Sequence, residues 1–304
     1  MTGPSGPREG FFVVDGVRLQ FLDWGGQGPA VVFLAGYANT PHFFDSVARS
    51  LTDRFRVLGL TRRAHGASDQ PETGYGVPTL AADAIGLLDA LGIDSASFVG
   101  HSFAGVELCC LASDFSQRVT KLVFLDTLYD YTEEDLQLLA ENPLPPADPP
   151  PETFESVPAY CEDFVTRYAS YRPLRSPRWD ALWAHGLERT PEGRFRERLR
   201  PETAAKLSEG LSGFQLDLAA VRCPTLAFFA FQDESWFLPS IAPDRLRRAM
   251  KQYVERLNSG VKRRCIERIR REISDVRIVE FYDTSHYCFL DREEAVIAAM
   301  QEFL

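Results

Sequence analysis

Apolar positions along this chain fall into two rhythms. Short, largely uninterrupted runs occur at 30–34 (AVVFL), 56–60 (RVLGL), 96–100 (ASFVG), 121–126 (KLVFLD), 224–231 (PTLAFFAF) and 276–282 (VRIVEFY). They have strand length and are apolar on successive residues, as expected of strands covered on both faces. Between them the repeat changes to that of a helix. Leu80, Ala84, Leu87, Leu88 and Leu91 share one face over 79–91, with Pro78 in the first turn. Segments 106–112 and 293–303 read the same way. At the start, 11–14 and 19–24 flank Asp15-Gly16, a hairpin signal. Strands alternating with helices predict an α/β protein with a mostly parallel, doubly wound sheet.

The alternation breaks after residue 127. Residues 143–151 hold six prolines in nine positions, which excludes helix and central strand there. From 158 to about 214 the chain reads as irregular helix rich in aromatics, among them Tyr160, Phe164, Trp179 and Trp183. The parallel pattern returns at 224. The expected organisation is a core of 1–127 and 216–304 with a helical cap, 128–215, inserted into it. No internal repeat is visible.

Composition narrows the choice of partners. The 304 residues carry a net charge of −10, which argues against nucleic acid as the main partner. No apolar run reaches the roughly 18 residues of a membrane span, and the first ten residues contain no apolar leader segment. The six cysteines form no C-x-x-C pair, and free thiols in a reducing cytoplasm are expected. One segment runs against the overall charge. Residues 244–272 hold eleven Lys/Arg against four Asp/Glu, with apolar residues at mostly helical spacing. This predicts an amphipathic helical pair with a solvated basic face.

The sharpest chemical signal is Gly100-His101-Ser102-Phe103-Ala104-Gly105, between an apolar strand and a helical run. A serine on so tight a strand-to-helix turn is held out of the sheet, small neighbours let the turn close, and the following helix aims N–H groups at the same point. The fifth position of this elbow is Ala104, where the strict pattern has Gly. Serine needs a base within hydrogen-bond reach. Of His42, His65, His101, His185 and His286, the last is best placed, just past the final strand at the carboxyl edge of the sheet. An acid must orient the imidazole. Asp233 follows the 224–231 strand and matches the order Ser…Asp…His; Asp126, ending the 121–126 strand, is its rival, and Glu234 a weaker one. An oxyanion would be held by backbone N–H groups of Phe103 and, in the loop after 30–34, Tyr37 beside Gly36.

These segments together resemble the α/β-hydrolase superfamily over nearly the whole chain. The similarity is carried by Leu34-Ala35-Gly36-Tyr37, by Arg62-Arg63-Ala64-His65-Gly66-Ala67-Ser68-Asp69, by the Ser102 elbow, by Cys223-Pro224-Thr225-Leu226 leading to Asp233, and by Ser285-His286. The chain departs from the usual pattern at Ala35, Thr61 and Ala230, where relatives carry His, Asp and Gly. The resemblance implies a Ser102–His286–Asp233 triad, Asp233 lying at the offset relatives use for the acid. It implies cleavage of a carboxylic ester or lactone through an acyl-enzyme, without cofactor or metal. Hydrolysis of a C–C bond in a diketone-type substrate on the same triad, and ligand binding without catalysis, are the alternatives. Tyr129, Phe231, Trp236 and Tyr287 are expected around the pocket and suggest an apolar or aromatic small-molecule substrate.

Overall fold

The computed structural model describes residues 6–129, 133–211 and 214–304. Strands β1 (Arg8–Val14) and β2 (Val17–Gly25) form the expected hairpin, turning at Asp15 and Gly16 with φ of 48° and 77°. They are followed by β3 (Ala30–Leu34), α1 (Asp45–Arg49), β4 (Arg56–Leu60), α2 (Val77–Ala90), β5 (Ala96–His101), α3 (Ala104–Asp114) and β6 (Val119–Leu125). The chain then leaves the sheet through α4 (Glu133–Ala140), α5 (Val157–Arg167), α6 (Pro177–Ala184), β7 (Leu187–Arg189), β8 (Phe195–Glu197) and α7 (Pro201–Leu211). It returns as β9 (Thr225–Phe231), α8 (Asp244–Arg256), α9 (Arg263–Glu272), β10 (Val276–Tyr282), α10 (Cys288–Asp291) and α11 (Glu293–Phe303).

The eight-stranded sheet has the order β1-β2-β4-β3-β5-β6-β9-β10. All pairings from β4 to β10 are parallel, and only β1–β2 and β2–β4 are antiparallel. The uninterrupted apolar runs follow from burial on two sides. In β3, Val32 and Leu34 pack with α2, α3 and α9, whereas Val31 and Phe33 face α1, α11 and the inserted segment. In β9, Ala227, Phe229 and Phe231 take the first side and Leu226, Phe228 and Ala230 the second. Each buried Val, Leu or Phe contributes about 1.5–3 kcal/mol. No helix among the described residues is long and apolar enough to cross a membrane. None of the six cysteines forms a disulfide, and all but Cys223 are buried.

The inserted segment contains a hairpin that sequence periodicity does not reveal. Strands β7 and β8 have three residues each, too few for a repeat to register. Beside it, Phe154 and Phe195 exchange backbone hydrogen bonds of 2.7 and 2.8 Å. The proline run 143–151 forms neither helix nor strand, as expected.

The basic stretch 244–272 differs from expectation in two ways. It is one helical run, with α8 passing through a π-helical turn at Leu257–Lys262 into α9. Its cations are also paired rather than merely solvated. Arg263 meets Glu280 at 2.7 Å, Arg268 meets Glu272 at 3.1 Å, and Arg264 pairs with Asp135, whose side chain is only 4 % exposed. Arg264→Gln therefore takes a charged partner from a buried carboxylate and should cost about 1–2 kcal/mol. Arg271→Gln, at an exposed pair, should stay within about 0.5 kcal/mol of wild type. Urea denaturation of the two variants checks the ranking, and equal stabilities would mean that the Arg264–Asp135 pair contributes nothing.

Candidate active site

The site lies where the carboxyl ends of β5, β6 and β9 meet the loop after β10. Ser102 directly follows β5 with a left-handed φ of 52°, and its N–H donates to the Leu125 carbonyl at 3.2 Å. Its own carbonyl accepts from Gly105 N–H at 3.0 Å and from the Thr127 hydroxyl. A β-carbon on Gly105 would lie 2.1 Å from the Thr127 oxygen, so glycine is required there. Ala104 is fully buried and fits without such a clash, so the space the turn needs lies at position 105 rather than at the fifth position of the elbow.

His286 follows β10, and its Nδ1 lies 2.6 Å from Asp126 Oδ2. Its carbonyl accepts from His101 Nε2 at 3.0 Å, which ties the loop to the end of β5. Asp126 is 2 % exposed and also has a left-handed φ, 44°. Its Oδ1 accepts from Ala230 N–H at 2.8 Å and from the Tyr129 hydroxyl at 2.5 Å. Burial favours the neutral acid, but the Lys262 charge and the bonds from His286 and Tyr129 outweigh it and hold the carboxyl well below the usual carboxylate range. Lys262, on the π-helical turn, donates to the Ala230 carbonyl, so Ala230 is held through both its N–H, by Asp126, and its carbonyl.

The acid expected at Asp233 is thus not the one that meets His286. Phe231 ends β9, and the chain turns away immediately. Asp233 caps the short 3₁₀ turn Glu234–Trp236, its Oδ1 accepting from Ser235 N–H at 2.9 Å and Ser235 Oγ at 2.5 Å. It faces a separate depression with Glu255, Asn258 and Asp283. Asp126 wins because it follows β6 by one residue, directly between the Ser102 end of β5 and the Ala230 end of β9.

Ser102, Phe103, Asp126 and His286 line one cavity of about 790 Å³. Tyr129 belongs to it as expected, but three other expected pocket residues do not. Phe231 stacks on Tyr282 with ring centroids 5.0 Å apart and lines the separate depression beside Asp233. The indole N–H of Trp236 donates to Asp283 at 2.9 Å. Tyr287 is buried in the aromatic cluster of Phe43, Trp179 and Phe289, and its hydroxyl donates to Asn39 at 3.1 Å. The walls come instead from Leu136, Leu139, Tyr171 and Phe214 of the inserted segment, Phe237 between β9 and α8, and Tyr253 of α8, with Lys262. Helical spacing placed Tyr253 and Lys262 on an amphipathic helix, but nothing in the sequence showed which face meets the serine.

The loop after β3 is braced from the segment after β4. Ala38, at φ 59°, donates its N–H to His65 Nε2 at 3.2 Å, while His65 Nδ1 meets the Arg63 carbonyl at 3.0 Å. Burial and the nearby Arg62 charge push the His65 imidazole down to about 3, so Nε2 keeps its lone pair for Ala38. The Tyr37 ring lies 6.2 Å from that of Phe103 and lines a neighbouring hollow with Phe154 and Leu199 rather than the serine cavity.

Comparison with known proteins identifies the fold. The family model described as the alpha/beta hydrolase fold matches residues 29–173. A 2-(acetamidomethylene)succinate hydrolase of Mesorhizobium japonicum is 35 % identical over 109 residues, covering 36 % of this chain and 39 % of that protein. A non-heme chloroperoxidase of Streptomyces lividans is 36 % identical over 117 residues, covering 38 % and 42 %. The matched stretch thus spans about two fifths of the length of these curated relatives. The crystal structure of E-2-(acetamidomethylene)succinate hydrolase superposes over 98 % of both chains with a TM-score of 0.71 at 21 % identity. The chain has the α/β-hydrolase fold, and its residues 29–173 match the family model for that fold.

Two buried imidazoles make stability depend on pH. Burial drives both His65 and His101 below the usual range, so the fold holds them neutral. The unfolded chain protonates them near pH 6.5. Their contribution is therefore complete above that pH and drains as pH falls toward the native values, by at most about 1.4 kcal/mol per pH unit for each histidine. The thermal midpoint should drop between pH 7 and 5, and His65→Gln should flatten the drop. An unchanged slope in that variant would show that His65 does not contribute to it.

Proposed function

We propose that the protein is a serine hydrolase of carboxylic esters or lactones. The observation that carries this reading is the 2.6 Å contact between His286 Nδ1 and Asp126 Oδ2, beside a serine on a strained elbow in the same cavity. Ser102 Oγ attacks the acyl carbon and passes its proton to His286 Nε2. Asp126 fixes the tautomer by accepting from Nδ1–H and stabilises the imidazolium that forms. The N–H groups of Tyr37 and Phe103 hold the tetrahedral oxyanion. On collapse, His286 returns the proton to the leaving alkoxide. It then activates a water that attacks the acyl carbon and releases the acid and Ser102.

The cavity volume falls in the ordinary range for small-molecule sites, and its Leu, Phe and Tyr walls suit an apolar or aromatic acyl group. We take 128–215 as a cap that contributes to those walls. Cysteines without a disulfide favour a reducing compartment, for which the cytoplasm is the natural assignment.

A fluorophosphonate should label Ser102 covalently, and Ser102→Ala should lose at least about three orders of magnitude in kcat. Asp126→Asn should cost about 10⁴ in kcat through the wrong imidazole tautomer. Asp233→Asn should be mild, with both proteins folded by circular dichroism. An unlabelled wild type that cleaves no ester or lactone in a panel graded by acyl length would overturn the reading. Turnover confined to a vinylogous diketone would move the reaction to C–C hydrolysis.

A further inference from the structure

We propose that Arg62 is a positioning residue for the oxyanion hole, fixing and polarising the peptide that carries the Tyr37 N–H. This rests on the reading of Tyr37 and Phe103 as oxyanion donors. The peptide between Gly36 and Tyr37 is planar and trans, so its carbonyl and its N–H point in opposite directions. Whatever holds the Gly36 oxygen therefore sets the direction of the Tyr37 N–H. That oxygen accepts from Arg62 Nη1 at 3.4 Å and from Asn39 N–H at 3.2 Å. Arg62 Nη2 also donates to the preceding carbonyl, Ala35, at 2.8 Å. A cation donating to the carbonyl end of an amide draws electron density through it and strengthens its N–H as a donor.

The same guanidinium reaches the other side of the hole. Its Nε and Nη2 bind Glu107 at 2.6 and 2.9 Å, and its centre lies 4.6 Å from the Phe103 ring. Glu107 stands on α3, the helix that starts just after Phe103. One side chain thus links the loop bearing one donor to the helix start bearing the other. Side-chain exposure is 6 % for Arg62 and 2 % for Glu107. Apolar residues of similar volume often replace a buried ion pair without loss of stability, so stability alone does not account for this one. The carboxylate also cancels the guanidinium charge, which leaves orientation and local polarisation as the contribution to the hole. Neither residue lines the serine cavity, which makes the role indirect.

The test measures kcat, KM, thermal midpoint and the fluorophosphonate labelling rate in Arg62→Lys, Arg62→Met and the double variant Arg62→Met/Glu107→Leu. A p-nitrophenyl ester serves as substrate. Loss of a well-aligned oxyanion donor costs about 10²–10³ in kcat, so misalignment should cost about ten- to a hundredfold. KM should stay within about twofold, and labelling should slow in parallel with kcat. The double variant should recover the wild-type thermal midpoint but not kcat. Arg62→Lys retains the charge and the fold but loses the fork, and should still lose about tenfold in kcat. A double variant or an Arg62→Lys protein with wild-type kcat and labelling would overturn the proposal while leaving the hydrolase reading intact. A wild type that neither turns over nor is labelled would overturn that reading, and this proposal with it.

Discussion

One buried carboxylate organises the carboxyl edge of the sheet. Asp126 is 2 % exposed, and an ion so placed is tolerated only when its oxygens are filled with donors. Those donors come from three separate parts of the chain: Ala230 N–H on β9, the Tyr129 hydroxyl at the entry to the inserted segment, and the imidazole of His286 after β10. Lys262 adds charge from a fourth and holds the Ala230 carbonyl. Satisfying the carboxylate therefore fixes the relative positions of β6, β9, the His286 loop and the helical run behind the cavity. In the proposed reaction the same bonds set the imidazole tautomer, so folding and chemistry make the same demand on this residue.

The sheet was legible in the sequence because both its faces are apolar. The runs at 30–34, 56–60 and 276–282 coincide with strands residue for residue, and the others differ by at most two residues at an end. The elbow was legible because a serine among small residues between a strand and a helix has few other uses. The partner of His286 was not. Asp126 and Asp233 both follow apolar strands, and the adjacency of β6 and β9 brings both to one edge. The choice rests on how the chain leaves each strand. At Asp126 it turns through a left-handed φ toward the site, and at Asp233 it stays extended at φ −109° and starts a 3₁₀ turn. Aspartate is compatible with either conformation, so its identity does not announce the turn.

The misplaced pocket residues have a related cause. Nearness in sequence to Asp233 or His286 says little about which way a side chain points. Tyr287 follows His286 directly yet packs among Phe43, Trp179 and Phe289 in the core. Phe231 shares a strand with Ala230 but lies on the opposite face, as strand alternation requires. The actual walls come from Leu136, Phe214 and Tyr253, far away in sequence from one another and from the serine. Only the path of the inserted segment and of α8 brings them together. The basic stretch was read as solvated for a similar reason, since Asp135 and Glu280 lie outside the helical run they pair with.

Backbone strain follows the same edge. Among the described residues, apart from Asp15 in the first hairpin, the non-glycine residues with left-handed φ are Ala38, Ala64, Ser102, Asp126, Leu128 and Asp283. Each lies in a segment that leaves a sheet strand at its carboxyl end. Such conformations cost about 1–3 kcal/mol each and persist only when neighbouring bonds over-determine them. Those bonds are present. Ala38 N–H is held by His65, Ala64 N–H by the Asp69 carbonyl, Ser102 N–H by Leu125, and Asp126 N–H by Phe228. The apolar sheet beneath supplies the stability that offsets the strain. Once the main chain is bent and locked in this way, the serine, the imidazole and the N–H groups of the β3 loop need no rearrangement to meet a substrate in the proposed reaction. Preorganisation of this kind is the main route by which a fixed site stabilises developing charge.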